Sequence, residues 1–343
     1  MNRISRLPHL CGGFTLAMIA LVAATGPVSA KEERNYILST GTTGATFYPV
    51  GVAIATLCKV KLEPKSGIAM SAISSAGSGE NIKLMREKQA PFAILQGLYG
   101  KWAWKGEGKL KNDGAQKYMR SITMLWPNVE HFAIRSKFVK NGTVDDLSNL
   151  KGKSFSIGKK NSGAAGSGET ILTNLGIDPD KNFNLVHLGF GPSADALVNG
   201  TVDGVNMPGG PPTGAMTRAY ATMGDDITIL NFTDDQLAKV NGEDELWTRY
   251  VIKADTYPGQ KKDINSIAQP NLLAVHKDVP EEDVYQITKT IYENLAFLHN
   301  IHKATMGMAI EKAIAGLPMP LHPGALRYFK EKGLTIPERL VAK

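Results

Sequence analysis

The sequence predicts an α/β protein with two lobes, because short strand-like runs alternate with helix-like segments in two successive sets. At 343 residues the chain exceeds the roughly 250–300 residues that one hydrophobic core usually serves. Its 35 glycines occur without repeats and indicate many tight turns and close approaches of the backbone. An apolar content of 43% with 39 basic and 32 acidic residues excludes disordered, collagen-like and small disulfide-stabilised proteins.

The first thirty residues have the three zones of a secretory signal peptide. Arg3 and Arg6 supply the positive start, residues 14–24 are apolar, and residues 28–30 form a small-residue cleavage signature. The apolar run is too short for a membrane-spanning helix, so we expect cleavage after Ala30 and export to the periplasm. Cleavage removes two positive charges and lowers the net charge from +7 to +5. It leaves one cysteine, Cys58, which we expect to pack as a small hydrophobe.

The first set of elements predicts one lobe. Its strands are predicted at 36–39, 69–74 and 92–95, and its helices at 48–60 and 79–87. Two further strand-like runs, 122–126 and 131–135, lie on either side of Pro127. We expect the chain to cross between the lobes at this point.

The second set predicts the other lobe. Its strands are predicted at 154–157, 185–187, 202–206 and 227–230, and its helices at 165–175 and 194–198. The two helices are predicted to end at Gly176 and Gly200, since glycine favours the left-handed backbone that follows a helix.

A returning strand at 264–276 and the clearest helix of the chain come next. Asp278 is predicted to cap this helix and Pro280 to occupy its first turn. Apolar residues at helical spacing predict a core-facing stripe: Val284, Ile287, Ile291, Leu295 and Leu298. We therefore expect a first lobe at 31–127 plus 268–343 and a second lobe at 128–267, with a ligand cleft between them.

Glycine-rich loops follow predicted strands and open predicted helices at several points. In residues 39–49 the backbone N–H groups and the positive end of the helix dipole can face one ligand, and threonine hydroxyls add donors. The arrangement repeats at 74–79, at 158–164 with two lysines, and at 209–213. Neither the dinucleotide fingerprint nor the phosphate loop is satisfied. A plain tight turn explains each loop taken alone, but together they favour a cleft for a small anion at the strand ends.

At these residues the sequence resembles the TAXI-type solute receptors of tripartite ATP-independent periplasmic (TRAP) transporters. The resemblance runs through nearly the whole chain after residue 30. Its marks are short segments in a distinctive order: 41–44, 47–51, 75–81, 94–96, 150–153, 162–163, 209–214 and 320–325.

The resemblance implies a type II periplasmic-binding-protein fold whose lobes close over a small organic anion, such as glutamate or 2-oxoglutarate. The partners it implies are this solute and the membrane subunits of a TRAP permease. By position, it implies these ligand-binding residues: Thr42, Thr43, Gly44, Thr46, Tyr48, Ser78, Asn81, Gln96, Ser162, Gly163, Gly210 and Thr213.

Three departures from the family pattern put the identity of the solute in doubt. Gly97-Leu98 stand where the family often has Ser-Asp, and Ala164 where it often has threonine. Lys159-Lys160 replace a more neutral or acidic pair.

The sequence favours binding over catalysis. It has no metal-ligand spacing of the His-Glu-x-x-His kind, no paired carboxylates and no nucleophile elbow, so we expect no enzyme activity, cofactor or metal. His131, His187 and His322 are the histidines to test, and His322 is expected to order its turn. Trp126 is expected either to contact the solute or to pack at the hinge.

The lysine-rich loops 101–117 and 261–262 are expected to be solvated faces rather than a nucleic-acid surface, and the protein to be a monomer. Two alternatives stay open: a ligand-sensing receptor for a signalling kinase on the same fold, and a periplasmic enzyme.

Overall fold

The computed structural model describes residues 33–342, so the predicted signal peptide and its cleavage site lie outside the described residues. The strands are β1 (Arg34–Ser39), β2 (Ile68–Ile73), β3 (Phe92–Gln96), β4 (Met119–Val129), β5 (Phe132–Arg135), β6 (Lys153–Ser156), β7 (Phe183–Val186), β8 (Gly204–Asn206), β9 (Ile227–Ile229), β10 (Thr248–Ile252) and β11 (Ile264–His276).

The helices are α1 (Phe47–Lys61), α2 (Glu63–Ser66), α3 (Ser78–Arg86), α4 (Gly97–Lys105), α5 (Gly163–Asn174), α6 (Pro179–Asn182), α7 (Phe190–Val198), α8 (Gly214–Met223), α9 (Asp234–Asn241), α10 (Glu281–Glu293), α11 (Leu295–Ile301) and α12 (Pro323–Glu331). Short 3₁₀ turns lie at Gly108–Asp113, Ser136–Phe138, Val144–Leu150, Gly224–Asp226, Lys303–Gly307, Ile310–Lys312 and Glu338–Leu340.

Each lobe is built on its own sheet. Within residues 33–342, the first sheet has six strands in the order β10-β11-β3-β1-β2, with β4 also paired to β11. The second has five strands in the order β7-β6-β8-β5-β9. In both sheets a parallel core carries the strand-to-helix turns: β1 is parallel to β2 and β3, and β6 is parallel to β7 and β8.

Neither sheet is purely parallel, although alternation of strands and helices suggests parallel sheets. The returning strand β11 enters the first sheet antiparallel to β3, with Asn271 opposite Gln96. In the second sheet β5 is antiparallel to both β8 and β9. Strand β5 is the first strand after the chain leaves the first sheet, and β11 follows β10, the strand with which the chain returns to that sheet.

The strands β4 and β11 form a long antiparallel ribbon within the first sheet. Their pairing runs from Met119 opposite His276 to Val129 opposite Ala268, with a register shift beside Pro270. Pro127 lies opposite Pro270 in this ribbon, and two residues after β4 the chain enters β5. The predicted crossing at Pro127 is therefore where the chain passes from the first sheet to the second.

Helix α1 covers the first sheet with an apolar face. Val50, Ile54 and Cys58 are fully buried on it. Burial raises the pKa of the Cys58 thiol to about 12, so the group stays protonated and packs as the sequence predicts.

The predicted long helix at the end of the chain differs in two details. Pro280, with an extended backbone, is the residue that precedes α10, and Asp278 bonds the neighbouring Lys277 instead of capping. The helix also stops before Asn294 and restarts as α11. The stripe residues Val284, Ile287 and Ile291 are fully buried, as expected.

Aromatic residues near the crossing are mostly internal. Trp126 is fully buried and contacts Phe47 edge-to-face with ring centroids 6.1 Å apart. Trp102 is buried against Tyr99. Trp104 lies at the surface under the Lys117 ammonium, 3.9 Å from the ring centroid. Among residues 33–342, no helix combines the length and apolar character that crossing a membrane requires.

Candidate functional site

A small cavity of about 40 Å³ lies between the lobes, where helices from both sheets begin. Among the described residues, the first residues of α1, α3, α5 and α7 all line it: Phe47, Ser78, Gly163 and Phe190. The first turn of a helix presents unpaired N–H groups and a partial positive charge. Four such ends around one space favour a negatively charged ligand.

The first-lobe wall is fastened by Asn81. Its side-chain amide donates to the carbonyl oxygens of Thr40, at 2.7 Å, and of Ile94, at 2.9 Å. Its Oδ1 accepts from Ser75 Oγ at 2.6 Å. These bonds join the end of β1, the middle of β3 and the loop after β2 to helix α3. Asn81 is fully buried and does not line the cavity, so the structure gives it a framework position.

Two serines line the cavity, and the hydroxyl oxygen of each accepts one backbone hydrogen bond. Ser78 Oγ accepts from the Gln96 amide at 3.0 Å, and Ser162 Oγ accepts from the Ala165 amide at 3.0 Å. A hydroxyl that accepts a bond still has its own O–H to donate. Both serines are buried and both line the cavity, one from each lobe.

Three further polar atoms that line the cavity are buried without a partner in the protein. They are Thr42 Oγ1, Gln96 Oε1 and Asn128 Nδ2. The Asn128 amide is oriented by its other end, since Oδ1 accepts from Asn271 Nδ2 at 3.3 Å. A buried polar atom without a partner costs about 1–3 kcal/mol, so these atoms are groups that a polar ligand would satisfy.

The lobes touch beside the cavity, and glycine makes this approach possible. A Cβ added to Gly79 would lie 2.6 Å from the Asn161 carbonyl oxygen, and one added to Gly163 would lie 2.6 Å from Gln96 Oε1. Tyr99 Oη donates across the same contact to the Ser162 carbonyl at 3.0 Å. A side chain at either glycine would hold the lobes apart.

The structure brings together five of the residues that the family resemblance implies. Lining one cavity are Thr42, Ser78, Gln96, Ser162 and Gly163. Thr43 and Gly44 line a neighbouring groove that also includes Ile301. Tyr48, in the first turn of α1, is half-buried and lies outside the cavity lining.

Thr46 of the first loop and two residues of the 209–213 loop, Gly210 and Thr213, form contacts away from the cavity. Thr46 Oγ1 donates to the Gly210 carbonyl at 3.0 Å and so ties α1 to this loop. A Cβ on Gly210 would lie 2.6 Å from the Trp126 ring. The Thr213 amide donates to Tyr257 Oη at 3.2 Å. Thr46 and Gly210 thus join the lobes, and Thr213 is held within the second lobe, at points outside the cavity lining.

Sequence reasoning missed part of the lining. The fourth loop at the cavity is Gly189-Phe190 after β7, and not the 209–213 loop. A further glycine after a predicted strand was the available signal for it. Asn128 was also missed, because its position depends on how β4 and β11 cross. Lys159 lines the cavity too.

A larger cavity of about 1010 Å³ lies on the outer side of the Gly79–Asn161 contact. Four of its charged side chains pair with one another: Arg86 with Asp113 at 3.1 Å, and Lys109 with Glu169. Because these groups have partners, the smaller cavity with unsatisfied donors is the better candidate despite its size.

The histidines singled out by the sequence hold structural positions. His131 is fully buried, with Nε2 2.7 Å from Tyr257 Oη and Nδ1 2.8 Å from the Val129 carbonyl, and burial lowers its pKa to about 4. His187 Nδ1 lies 3.1 Å from the Gly158 carbonyl. His322 Nδ1 accepts from the Gly324 amide and begins α12, as expected.

Beside His131, Glu130 is also fully buried. Burial raises its pKa to about 7, although side-chain hydrogen bonds, including one from Asn206 Nδ2 at 3.3 Å, act in the opposite direction. The two residues lie where the β4–β11 ribbon enters the second lobe.

The chain belongs to the NMT1-like family, whose model matches residues 38–333. Among solved structures it is similar to MatC from Rhodopseudomonas palustris with bound malate, at 15% identity over 90% of this chain and 97% of that one, with a TM-score of 0.52. It is also similar to the binding protein component of an ABC phosphonate transporter from Pseudomonas aeruginosa, at 14% identity over 80% of each chain, with a TM-score of 0.50. At these identities the likeness concerns the fold, and it confirms the predicted two-lobed periplasmic-binding-protein fold. The TAXI subfamily stays a prediction.

Proposed function

We propose that this protein is a periplasmic solute-binding protein of the TAXI type. It captures a small organic anion between its lobes and delivers it to the membrane subunits of a TRAP permease. The anion is a carboxylate, a dicarboxylate or an acidic amino acid, as the family resemblance suggests. The single observation that carries this proposal is the cavity at which helices of both lobes begin and hydroxyl and amide groups of both lobes meet.

Charge supports an anion over a cation. Lys159 and the serine, threonine and asparagine donors of the lining face the same space as the helix ends. Backbone N–H groups at helix ends commonly bind carboxylate or phosphate, and hydrogen bonds to a charged group contribute about 1.5–3 kcal/mol each.

We further propose that the lobes comprise residues 31–127 plus 268–343 and residues 128–267, and that they open and close about the β4–β11 ribbon. Strands β1–β3 share the first sheet with β4 and β11, strands β5–β9 form the second sheet, and β4 leads directly into β5. Closure about such a hinge would bring Ser162 and Gly163 onto the first-lobe wall and exclude water from the solute. No chemical step is proposed.

A thermal-shift screen tests this proposal directly. The purified protein is incubated with C4 to C6 dicarboxylates, amino acids and aromatic acids, with phosphate esters and nucleotides as the contrasting set. Because a ligand that binds the native state stabilises it, we expect at least one organic acid to raise the Tm in a concentration-dependent way. A response to phosphate esters or nucleotides alone would contradict the carboxylate assignment.

A further inference from the structure

We propose that Lys159 selects the solute by charge, and that the solute is a compact organic acid without an ammonium group. This inference rests on the proposed function and narrows its substrate class, because it separates organic acids from amino acids of the same size.

Lys159 lies at the mouth of the cavity, in the loop between β6 and α5. A Cβ placed on Gly189 would be 3.8 Å from Lys159 Cδ and 3.2 Å from Thr42 Cγ2. The lysine stem therefore extends across the glycine of the second lobe toward the threonine of the first. Within residues 33–342 its ammonium has no ion-pair or hydrogen-bond partner.

Among the described residues that line the cavity, Lys159 is the one charged side chain, and no aspartate or glutamate is present. The nearest acidic side chains of the adjoining cavity are already engaged. Glu80 Oε2 accepts from the Ala76 amide at 2.6 Å, and Glu169 pairs with Lys109. A ligand carboxylate thus meets donors, whereas a ligand ammonium meets no carboxylate.

The cost of an ammonium group here follows from its surroundings. It would enter beside the Lys159 ammonium and the positive ends of four helices, and burial would remove its water. Gln96 Oε1 and the Thr42 hydroxyl oxygen are the unpartnered side-chain acceptors among the described lining residues, and two neutral acceptors do not replace the hydration of an ammonium group. A carbonyl or hydroxyl at the same carbon meets no such penalty.

The rest of the lining is apolar and limits the body of the solute. Phe47, Phe190, Ala45, Ala164 and Pro208 provide carbon surface around the polar groups. A short carbon skeleton is therefore expected to lie against the two phenylalanines while its carboxylate faces the donors.

Calorimetric titration with matched pairs of ligands tests the inference. The pairs are pyruvate and alanine, 2-oxoglutarate and glutamate, and phenylpyruvate and phenylalanine, which differ in an oxo or ammonium group at one carbon. For the pair that binds, we expect the oxo acid to bind at least tenfold more tightly than the amino acid. Equal or tighter binding of the amino acid would overturn the inference and leave the proposed function standing, whereas a protein that binds no anion would overturn both.

Lysine variants test whether Lys159 accounts for the affinity for the oxo acid. Lys159→Gln should weaken oxo-acid binding at least tenfold, and Lys159→Arg should retain it within about threefold because the charge is kept. Lys160→Gln is the matched control, since Lys160 is equally exposed and lines the outer cavity instead. Equal losses in Lys159→Gln and Lys160→Gln, or no loss in Lys159→Gln, would overturn the role of Lys159. Unchanged unfolding curves establish that each variant is folded.

Discussion

The two walls of the cavity are built in different ways. On the first-lobe side, Asn81 and Ser75 form internal hydrogen bonds that fix the strand ends and the start of α3. On the second-lobe side, residues 159–161 are exposed, and the turn depends on Asn161 with a φ of 61°, a conformation that asparagine tolerates. The first wall is thus a hydrogen-bonded frame of neutral donors, and the second contributes the charge of Lys159 from an exposed turn.

This difference indicates which kinds of substitution should affect stability and which should affect binding. Changes in the frame of the first wall remove buried hydrogen bonds and should destabilise the fold. Changes on the second wall, or at the contact between the walls, leave those bonds intact and should act on affinity.

Replacing Asn81 with alanine should damage the first wall most. The buried Thr40 and Ile94 carbonyls would lose the bonds from Asn81, and Ser75 Oγ would lose its bond to Asn81 Oδ1, so we expect a loss of about 3 kcal/mol in the free energy of unfolding. Urea denaturation measures this loss. Asn184→Ala is the control, because Asn184 donates to the Gly152 carbonyl at 3.0 Å from an exposed position and its loss should cost about 0.5 kcal/mol or less. Equal losses in the two variants would contradict the framework role of Asn81.

Replacing Gly79 with alanine should separate the two walls. The new Cβ would lie 2.6 Å from the Asn161 carbonyl, so the lobes could no longer meet, and we expect at least tenfold weaker solute binding. Folding should be unimpaired, since alanine favours the helix in which Gly79 lies. Gly191→Ala is the control, because its Cβ would find Arg218 Nη2 at 3.5 Å, an ordinary contact. If Gly79→Ala left the affinity for the solute unchanged, solute binding would not depend on the Gly79–Asn161 contact.

The buried pair behind the cavity should give opposing pH dependences. Burial raises the pKa of Glu130 from 4.5 to about 7, so its contribution to stability is complete below pH 4.5 and declines as the pH rises to 7. Burial lowers the pKa of His131 from 6.5 to about 4, so its contribution is complete above pH 6.5 and is lost as the pH falls. Glu130→Gln should therefore make unfolding stability rise more steeply between pH 4.5 and 6.5 than in the wild type. Parallel stability profiles, measured with urea at each pH, would contradict this assignment.

The ion pair at the rim should matter least. Lys109 and Glu169 link the Gly108–Asp113 turn to α5, but the lysine is half exposed, and such pairs contribute about 0–1 kcal/mol. We expect Lys109→Met to change solute affinity by less than about fivefold, and the difference to shrink in about 0.5 M salt. A change in calorimetric affinity that exceeds fivefold and does not shrink with salt would contradict the minor role of this ion pair.

The sequence predicts local features of this fold better than long-range ones. Strand-to-helix turns with glycine and serine located three of the four helix ends at the cavity, because local residue chemistry determines those turns. The antiparallel entry of β11 and the position of Asn128 depend on how distant segments cross, which no short window of sequence contains.

The predicted site residues divide in the same way. Ser78 and Ser162 lie at helix starts, Thr42 lies in the loop before α1, and all three line the cavity. Asn81 belongs to the predicted loop-and-helix segment 75–81. Its amide nevertheless bonds backbone carbonyls, because Thr40 after β1 and Ile94 in β3 both lie beside it. Motif membership located the region, and the direction of each side chain came from tertiary packing.

The most direct test of the central claim is the calorimetric affinity of the Thr42→Ala/Ser162→Ala double variant for the acid that stabilises the wild type most. This variant removes one hydroxyl donor from each wall and leaves the Asn81 frame intact. We predict more than tenfold weaker binding in a variant that still folds, with about 1 kcal/mol lost from the free energy of unfolding because Ser162 Oγ caps α5. An unchanged affinity would contradict the assignment of the solute to the cavity between the four helix ends.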